Sequence, residues 1–345
     1  MIRIQNIYHM LAYAFKVLHQ DGYKSVADEE FDNVGDLLAA ILAKGIAQQI
    51  KRGLGREYIS LTEPLSSLTG KVDVTASIKQ QTLRRKQLVC SFDELSENVY
   101  INQILKTTAY VLVLSSEVSI QQKKALKKVM LYFADVDLLE PRQIQWSSVK
   151  YNRNNATYKM LIHLCYMVIK GLLLTETNGT RKLARYLDNQ QMHNLYQRFV
   201  LEYYRRHYPA FKVTAAYIAW DVDDGITDLL PAMKTDITIE YRGKTLIIDT
   251  KYYSRSMQTN SLYKSRTLHS DNLYQIFTYV KNRDTAQSGN VSGLLLYAKT
   301  DEEMTPNQNY VMSGNRISVK SLDLNMDFPE ISKQLNHLVH QFFTL

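Results

Sequence analysis

The stretch TDITIEYRGKTLIIDTKYY, residues 235–253, decides how the second half of this 345-residue chain folds. Two runs rich in β-branched residues flank Arg242-Gly243, and this pattern predicts two strands joined by a tight turn. The second run passes through three consecutive aliphatic residues and then reaches Asp249, Thr250 and Lys251. Charged side chains are seldom placed beside a buried run unless they are paired. The purpose of this carboxylate and ammonium group is therefore the first question that the sequence raises.

Alternation along the strands brings a third charged group to the same place. Side chains of a strand point to opposite faces in turn, so Ile247, Asp249 and Lys251 share one face. If the two strands pair through the turn, Asp236 on the first strand lies near the level of Asp249. Two carboxylates and one lysine then converge at one edge of the predicted sheet.

The chemistry that uses such a set is metal-assisted hydrolysis of a phosphodiester. Mg²⁺ prefers oxygen ligands and is typically held by one or two carboxylates, water and substrate phosphate. The carbonyl of Thr250 could supply one more oxygen ligand. A nearby lysine can orient the attacking water or stabilise the transition state. The spacing alone leaves open a surface ion pair between Asp249 and Lys251, because D-x-K is a common tripeptide.

A predicted helix after the hairpin, SDNLYQIFTYVKNR at residues 270–283, carries further polar groups. Gln275 and Tyr279 lie four residues apart on a face other than its aliphatic stripe, where a solvent-facing role is the plain alternative. Residues 251–286 hold six basic side chains against two acidic ones. These basic residues put positive potential beside the carboxylates: Lys251, Arg255, Lys264, Arg266, Lys281 and Arg283. We interpret Arg255, Lys264 and Arg266 as candidate DNA-binding residues.

Composition restricts the class of protein. The chain has 42 Lys and Arg against 34 Asp and Glu, a net charge of +8, which suits a polyanionic partner without requiring one. Cys90 and Cys165 have no CxxC or His/Cys context, so we expect no structural zinc and a reduced, cytoplasmic setting.

The apolar N-terminal segment is too short and interrupted to span a membrane, and it lacks a cleavage site. We therefore expect no membrane partner.

A phosphate-binding loop is also excluded. Gly243-Lys244-Thr245 matches the end of such a loop, but Thr238 stands where the loop requires a glycine. We therefore expect that this chain does not hydrolyse nucleotides itself.

The periodicity of the chain indicates two domains, divided by the polar stretch at residues 141–157. Residues 1–150 show helical patterns around an alternating segment at 56–79, which predicts a mixed helical and β domain. Residues 151–345 read as helix, antiparallel strands, helix, strand and helix, which predicts a small mixed sheet flanked by helices. The expected fold class is α/β (α+β).

Asp236, then Asp249-Thr250-Lys251, then Gln275-x-x-x-Tyr279 resembles the active-site pattern of the PD-(D/E)XK nuclease superfamily, in its RecB-like branch. More narrowly, the chain resembles the McrC family, the nuclease subunits of McrBC modified-cytosine-dependent restriction systems. The resemblance covers nearly the full length in unbroken order, through NIYHMLAYAF (6–15), RGLGREY (52–58), FDELSENVYINQILK (92–106), LYQRFVLEYYRR (195–206), LLPAMKTDITI (229–239), LIIDTKYY (246–253), NLYQIFTYV (272–280) and GLLLYA (293–298).

The resemblance implies a role for each matching residue. Asp236 and Asp249 would be ligands of Mg²⁺, or of Mn²⁺ in its place; Lys251 would be the catalytic lysine and Gln275 an accessory polar residue. Two departures weaken the match. Thr235 stands where the superfamily name has proline. Many relatives have a glutamate in the metal site where Gln197 stands, and the nearest carboxylate on that predicted helix is Glu202.

The resemblance also implies partners: double-stranded DNA, and a McrB-like hexameric AAA+ GTPase that binds the GTP. Residues 1–150 would be the docking domain for that GTPase, and 151–345 the endonuclease domain. The basic segments Lys51-Arg52-Arg56 and Arg84-Arg85-Lys86 are candidates for reaching the partner, although solvated faces are an equal alternative. A different function also stays open: a catalytically silent DNA-binding or bridging subunit that retains the nuclease fold.

Overall fold

The computed structural model describes residues 2–15, 31–151, 158–176, 189–253, 258–259, 266–299 and 305–343, together with Tyr23, Val26 and Glu29. The chain forms two compact units. One comprises Leu38–Leu183, and the other joins Met1–Leu37 to Ala184–Leu345. This grouping differs from the division at residue 150 that the sequence suggested. None of the helices in the described ranges is long and apolar enough to cross a lipid bilayer.

The unit Leu38–Leu183 is built from helices and a three-stranded sheet. Its elements are α2 (Val34–Arg52, whose first residues belong to the other unit), β1 (Glu57–Leu65), β2 (Lys71–Val72), α3 (Val74–Lys79), β3 (Leu88–Ser96), α4 (Tyr100–Leu114), α5 (Ile120–Met130) and α6 (Tyr158–Glu176). This mixture of helices and strands agrees with the prediction for the first half of the chain.

The sheet of this unit is a long two-stranded ribbon with a short third strand. β1 and β3 pair antiparallel over nine residues, from Glu57 opposite Ser96 to Leu65 opposite Leu88, and most of β1 is exposed. β2 then pairs with β3. Gly70, at φ +62°, precedes β2, and a Cβ there would lie 2.3 Å from the carbonyl oxygen of Ser91. Only glycine permits this approach of the loop to β3.

Helix α6 belongs to this unit because it packs against α4. The hydroxyl of Tyr158, in the first turn of α6, accepts a hydrogen bond from the backbone N–H of Gly55 at 2.7 Å. Asn102 on α4 donates to the carbonyls of both Gly55 and Glu97, each at 2.8 Å. The partly buried contacts of Gly55 with Tyr158 and Asn102 connect residues far apart in sequence, so the polar stretch before α6 does not end the domain.

The second unit contains a six-stranded mixed sheet. Its elements are α1 (Ile4–Ala14), α7 (Asn189–His207), β4 (Lys212–Thr214), β5 (Tyr217–Ile218), β6 (Met233–Lys234), β7 (Ile237–Tyr241), β8 (Lys244–Lys251), β9 (Gln258–Thr259), β10 (Arg266–Thr267), α8 (Ser270–Arg283), β11 (Val291–Ala298), β12 (Gln308–Met312), β13 (Asn315–Leu322) and α9 (Phe328–Phe343). The strands of the sheet follow the order β12-β13-β11-β8-β7-β4. The β7–β8 hairpin forms as predicted. In addition, β12 pairs antiparallel with β13, and β11 runs parallel to both β8 and β13.

One face of this sheet is covered by α8. Ile276 and Val280 of α8 pack with Ile247 and Leu295 in a buried cluster. The helix lies so close that a Cβ on Gly293 would come within 2.8 Å of Ile276 and 2.9 Å of Val280. This close packing places the N-terminal half of α8 over the end of β8. The predicted sheet flanked by helices is confirmed.

Helix α1 packs on α7, within the unit that contains the large sheet. The ring of Tyr13 contacts the rings of Phe199 and Tyr203, with centroids 5.5 Å away in each case. The side-chain amide of Asn6 donates to the carbonyls of Leu324 at 2.7 Å and Met326 at 2.8 Å. These contacts explain why α1 belongs with the second half of the chain and not with the residues that follow it.

A buried carboxylate joins the end of α8 to the start of β13. Asp284 accepts hydrogen bonds from the N–H of Ser288 at 3.0 Å, its hydroxyl at 2.7 Å, the N–H of Gly289 at 2.9 Å and the amide of Asn315 at 2.6 Å. Burial favours a higher pKa for Asp284, but the hydrogen bonds outweigh it and lower the pKa to about 2. The ionised carboxylate therefore stabilises the folded state.

We expect Asp284→Ala to lower the free energy of unfolding at neutral pH by about 2 kcal/mol, the value of its pKa depression from 3.8 to about 2. Because the folded-state pKa is the lower one, this stability is present above about pH 4 and is lost as the pH falls towards 2. Urea denaturation at pH 7 and in acid measures it. Asp223→Ala, at an exposed position, is the control. Equal loss in both variants would refute the assignment.

Candidate active site

The end of β8 brings the two predicted carboxylates together. β7 and β8 pair antiparallel with Ile237 opposite Ile248, so continuation of the register sets Asp236 opposite Asp249. The N–H and the hydroxyl of Thr250 both donate to one oxygen of Asp236, at 2.8 and 2.7 Å. Asp236 thus lies against β8, as pairing through the Arg242-Gly243 turn predicts. Its carboxylate is half-buried and keeps a second oxygen for another partner.

Asp249 and Lys251 form a buried ion pair. The Nζ of Lys251 lies 2.7 Å from Oδ2 of Asp249, and the two side chains are only 10% and 2% exposed. This burial excludes the alternative of a surface ion pair. Removing two charges from water is costly, and a strand end gains little stability from it. A buried pair in this position indicates a functional site more than a structural one.

Burial also decides the protonation of the pair. Burial raises the pKa of Asp249 to about 7; the charge of Lys251 lowers it only in part, and the charge of Asp236 raises it further. Burial lowers the pKa of Lys251, but the attraction of Asp249 outweighs that effect and leaves the pKa above its ordinary value. The site therefore contains one firmly charged ammonium group beside a carboxyl group, Asp249, that takes up a proton near neutral pH.

Gln275 and Tyr279 extend the pair into a chain of hydrogen bonds. Lys251 donates from Nζ to Oε1 of Gln275 at 2.9 Å, and Gln275 donates from Nε2 to the hydroxyl of Tyr279 at 2.9 Å. Tyr279 donates in turn to the carbonyl of Lys234 at 3.1 Å. The solvent-facing alternative for these two residues is excluded. Because Tyr279 gives its proton to a backbone carbonyl, it must accept from Gln275, and this fixes which amide atom faces Lys251.

A second chain of polar contacts forms the wall of the site on the β11 side. Asn272, in the first turn of α8, donates to the hydroxyl of Tyr297 at 2.9 Å and accepts from the hydroxyl of Tyr253 at 3.3 Å. Tyr297 is the register partner of Lys251 on β11. Burial raises the pKa of Tyr297 to about 12, so its hydroxyl stays neutral.

Helix α7 contributes a residue that the sequence analysis missed. His193 is half-buried, and the charges of Asp236 and Lys251 both act on its ring. Burial has the largest effect and lowers the pKa of His193, so the imidazole is neutral at pH 7. The available signal was its spacing: His193 precedes Gln197 by four residues, one helical turn. Glu202 lies nine residues after His193, on the opposite helix face, and pairs with Arg205 at 2.8 Å.

The basic residues of the predicted DNA-binding loop have different outcomes. Arg255 and Lys264 lie outside the described residues, and Arg266 is described only as the first residue of β10. Lys281 donates to the carbonyl of Ser313 and to Asn315 at 3.1 and 3.0 Å. The DNA-binding roles of Arg255, Lys264 and Arg266 remain predictions.

The donor set fits a hard divalent cation. Among the residues that the structure describes, no three or more His, Cys, Asp or Glu side chains surround a common point. Asp236 and Asp249 supply two carboxylates, and the raised pKa of Asp249 marks negative charge that a cation would stabilise. Mg²⁺ keeps several waters and takes few protein ligands. These ligand roles, and that of the Thr250 carbonyl, remain predictions.

Comparisons with known proteins agree with the resemblance read from the sequence. The family described as "McrBC 5-methylcytosine restriction system component" matches residues 4–298. The Escherichia coli K12 protein "Type IV methyl-directed restriction enzyme EcoKMcrBC" is 28% identical over 349 residues, covering 99% of this chain and 98% of that protein. The fold is similar to that of a Thermococcus gammatolerans assembly of McrB AAA+ hexamers with bound McrC, with a TM-score of 0.58 at 16% identity, over 99% of this chain and 76% of that one.

The family match covers far more than half of the chain, and it includes parts of both compact units and every residue of the candidate site. The expected family is confirmed. The chain belongs to the McrBC 5-methylcytosine restriction system components and is similar over its length to their McrC subunit.

Proposed function

We propose that this chain is the DNA-cutting subunit of a modified-cytosine restriction system and hydrolyses phosphodiester bonds of double-stranded DNA with Mg²⁺, or Mn²⁺ in its place. The observation that carries the proposal is the buried Asp249–Lys251 pair opposite Asp236. A subunit that only bound or bridged DNA would have no use for a buried ammonium group beside two carboxylates.

The residues divide the work of hydrolysis. Asp236 and Asp249 would hold the cation, which neutralises phosphate charge and acidifies a bound water. Lys251 stays protonated. Its hydrogen bond to Gln275 fixes the direction of the ammonium group. A preoriented ammonium group costs no reorganisation when negative charge develops on the phosphate. The accessory role of Gln275 is therefore to position Lys251.

The test is cleavage of plasmid DNA containing 5-methylcytosine by the chain, a McrB-like partner and GTP, with Mg²⁺ present or chelated. We expect linear product only when the partner, GTP and metal are all present. Cleavage that persists in excess chelator would contradict the metal's role. Binding and GTP hydrolysis without any cleavage would favour the silent bridging subunit instead.

We expect the Mg²⁺ requirement to depend on pH. Burial raises the pKa of Asp249 to about 7, so below that pH the metal must displace a proton. The half-saturating Mg²⁺ concentration in single-turnover cleavage should rise about tenfold for each pH unit below 7 and stay level above about pH 8. The partner's GTPase rate, measured alongside, controls for its own pH dependence. A constant Mg²⁺ requirement across this range would contradict the prediction.

We expect Tyr279→Phe to slow cleavage about tenfold, because the amide of Gln275 can then turn and present Nε2 to Lys251. Gln275→Ala should slow it by a similar or somewhat larger factor, but less than loss of Lys251 itself. The measurement is the single-turnover rate at saturating Mg²⁺. Tyr274→Phe is the matched control, because Tyr274 lies on the same helix and is 66% exposed. Wild-type rates in both Gln275→Ala and Tyr279→Phe would sink the positioning role.

We infer that GTP is bound by a McrB-like hexameric AAA+ partner. The Thermococcus gammatolerans assembly named above joins McrB hexamers to McrC. In this chain, Gly243-Lys244-Thr245 form a β-turn and the start of β8, not the loop before a helix that a phosphate-binding loop needs. Nucleotide hydrolysis is therefore assigned to the partner.

The ribbon of the Leu38–Leu183 unit is the element best suited to reach that partner. Its tip, residues 66–87, connects β1 to β3 and combines five basic side chains with exposed aliphatic ones. The basic residues are Lys71, Lys79, Arg84, Arg85 and Lys86. Leu68 and Ile78 are 71% and 60% exposed. Exposed apolar groups with cations suit a protein surface that carries bound nucleotide. The other segment predicted to reach the partner is Lys51-Arg52-Arg56. Its Arg56 pairs with Glu97, so Lys51 and Arg52 at the end of α2 remain as the candidates from this segment.

A further inference from the structure

We propose that the turn between β7 and β8 carries a second phosphate-binding site, which contacts the backbone of duplex DNA away from the catalytic centre. We call it the turn cluster, defined as Lys212, Glu240, Arg242, Lys244 and Arg283. These residues surround an open cavity of about 460 Å³. The identification of its ligand as DNA rests on the proposed function, whereas the phosphate chemistry rests on the cluster itself.

The charges of the cluster do not balance. Four cations meet one carboxylate, so the sum is four minus one, or +3. Glu240 binds Lys212 through one oxygen and Arg283 through the other, each at 2.9 Å. That carboxylate is thereby fully used, and it holds two of the cations in place. Arg242 and Lys244 remain as excess positive charge, and neither has a carboxylate partner among the described residues. A bound anion would relieve their mutual repulsion.

The backbone at Arg242 adds a second, independent observation. Arg242 has φ +47° and Gly243 has φ +77°, the signs of a two-residue type I′ hairpin turn. The first position of this turn favours Asn, Asp or Gly, because a left-handed conformation strains a larger side chain. The guanidinium of Arg242 lies 5.0 Å from the ring centroid of Tyr241, which supports it above the strand. An arginine kept in a strained turn position indicates use of its charge.

The position of the cluster separates it from the catalytic centre. β8 runs from Lys244 in the cluster to Lys251 in the active site. Seven steps at about 3.3 Å each give roughly 23 Å, or about seven base pairs of DNA. The described residues that line the cavity are mostly charged or belong to the turn, and they form no enclosed apolar wall for a nucleobase. This favours phosphates of a polymer over a free nucleotide.

The experiment compares two double variants of the full chain, each in an Asp249→Asn background so that DNA is not cut. Arg242→Asn with Lys244→Gln removes the excess charge, and asparagine suits the turn, so folding is preserved. Lys127→Gln with Lys128→Gln removes the same charge from the exposed face of α5 and is the matched control. Fluorescence anisotropy with a labelled duplex over a range of KCl concentrations gives the affinity and its salt dependence.

We expect the turn-cluster variant to reduce the slope of log K against log salt by about 1.8, or 0.9 for each lost phosphate contact. At 0.15 M salt this corresponds to roughly thirtyfold weaker binding. The control pair should keep the wild-type slope. Equal slopes in the two variants would overturn the proposal.

Two further measurements separate the alternatives. Phosphorus NMR with inorganic phosphate tests for a free anion: binding that Arg242→Asn abolishes, with an unchanged DNA slope, would overturn DNA as the ligand. Cleavage by the turn-cluster variant with Asp249 intact tests the nuclease separately. Normal cleavage by the turn-cluster variant, with an unchanged slope, would rule out the turn cluster as a DNA-binding site and leave the proposed function standing. A reduced slope in the turn-cluster variant, together with no cleavage by the parent chain, would support the turn cluster and contradict the proposed function.

Discussion

Asp249→Asn and Lys251→Ala are each expected to lower the rate of DNA cleavage at least about a thousandfold, the effect of removing a preorganised charge from a reaction centre. Asp249→Asn keeps the shape of the side chain and removes the charge that would hold the cation. Lys251→Ala removes the ammonium group that lies 2.7 Å from Asp249 and 2.9 Å from Gln275. The measurement is single-turnover cleavage with excess complex, so that assembly does not limit the rate.

The same variants should keep the partner's GTPase stimulation, because the pair lies in the unit that contains the large sheet and not at the ribbon tip. That retained activity shows that each variant is folded and docked. Glu330→Gln, which neutralises a carboxylate paired with Lys333, is the control for a charge change elsewhere in this unit. Cleavage above about a tenth of the wild-type rate in both active-site variants would be incompatible with the assigned roles.

Removal of the ribbon tip is expected to differ from the active-site variants in one respect: GTPase stimulation should fall to the partner's basal rate. Leu65 and Leu88 are register partners at the end of the ribbon. An Asn-Gly turn can therefore replace residues 66–87 and close a standard hairpin. Cleavage in the assembled system should disappear as well, because the reaction is proposed to depend on docking. The measurement is GTP hydrolysis by the partner at increasing concentration of the chain.

The deletion also uncovers Val89 and Cys90, which are buried in the intact chain. A milder variant, Arg84→Gln with Arg85→Gln, leaves these contacts in place and should reduce stimulation at least several-fold. Lys123→Gln with Lys124→Gln on α5 serves as its charge-matched control. Full stimulation by both the deletion and the double variant would rule out the tip as the docking element.

The sequence reveals those parts of this molecule that depend on neighbouring residues. The β7–β8 hairpin and the meeting of Asp236 with Asp249 follow from period-2 alternation and one tight turn. The β12–β13 hairpin follows from the same kind of pattern. In each case the two strands are adjacent in the chain, so local spacing determines the register.

The parts that could not be predicted depend on contacts between distant residues. Asn6 binds the backbone of Leu324, more than three hundred residues away, and no local pattern reports it. Composition indicates a boundary near residue 150 but does not show where α1 packs. Gln275 could be placed on the correct helix, but its partner depends on how closely α8 lies on the sheet. Spacing places His193 one helical turn before Gln197, but its nearness to Asp236 and Lys251 depends on how α7 packs against β8.

The packing of α1 has a consequence for biosynthesis. The ring of Tyr13 contacts Phe328 as well as α7, so α1 can acquire its full set of neighbours only after the ribosome has added 314 further residues (328 − 14) beyond Ala14. At 5–20 residues per second this takes roughly 15 to 60 s. During that interval α1 can pack on α7 once the chain has passed His207, whereas its contact with Phe328 must wait for the later residues. A chain that ends before Phe328 would therefore lack part of the packing that holds α1 in the unit with the candidate active site.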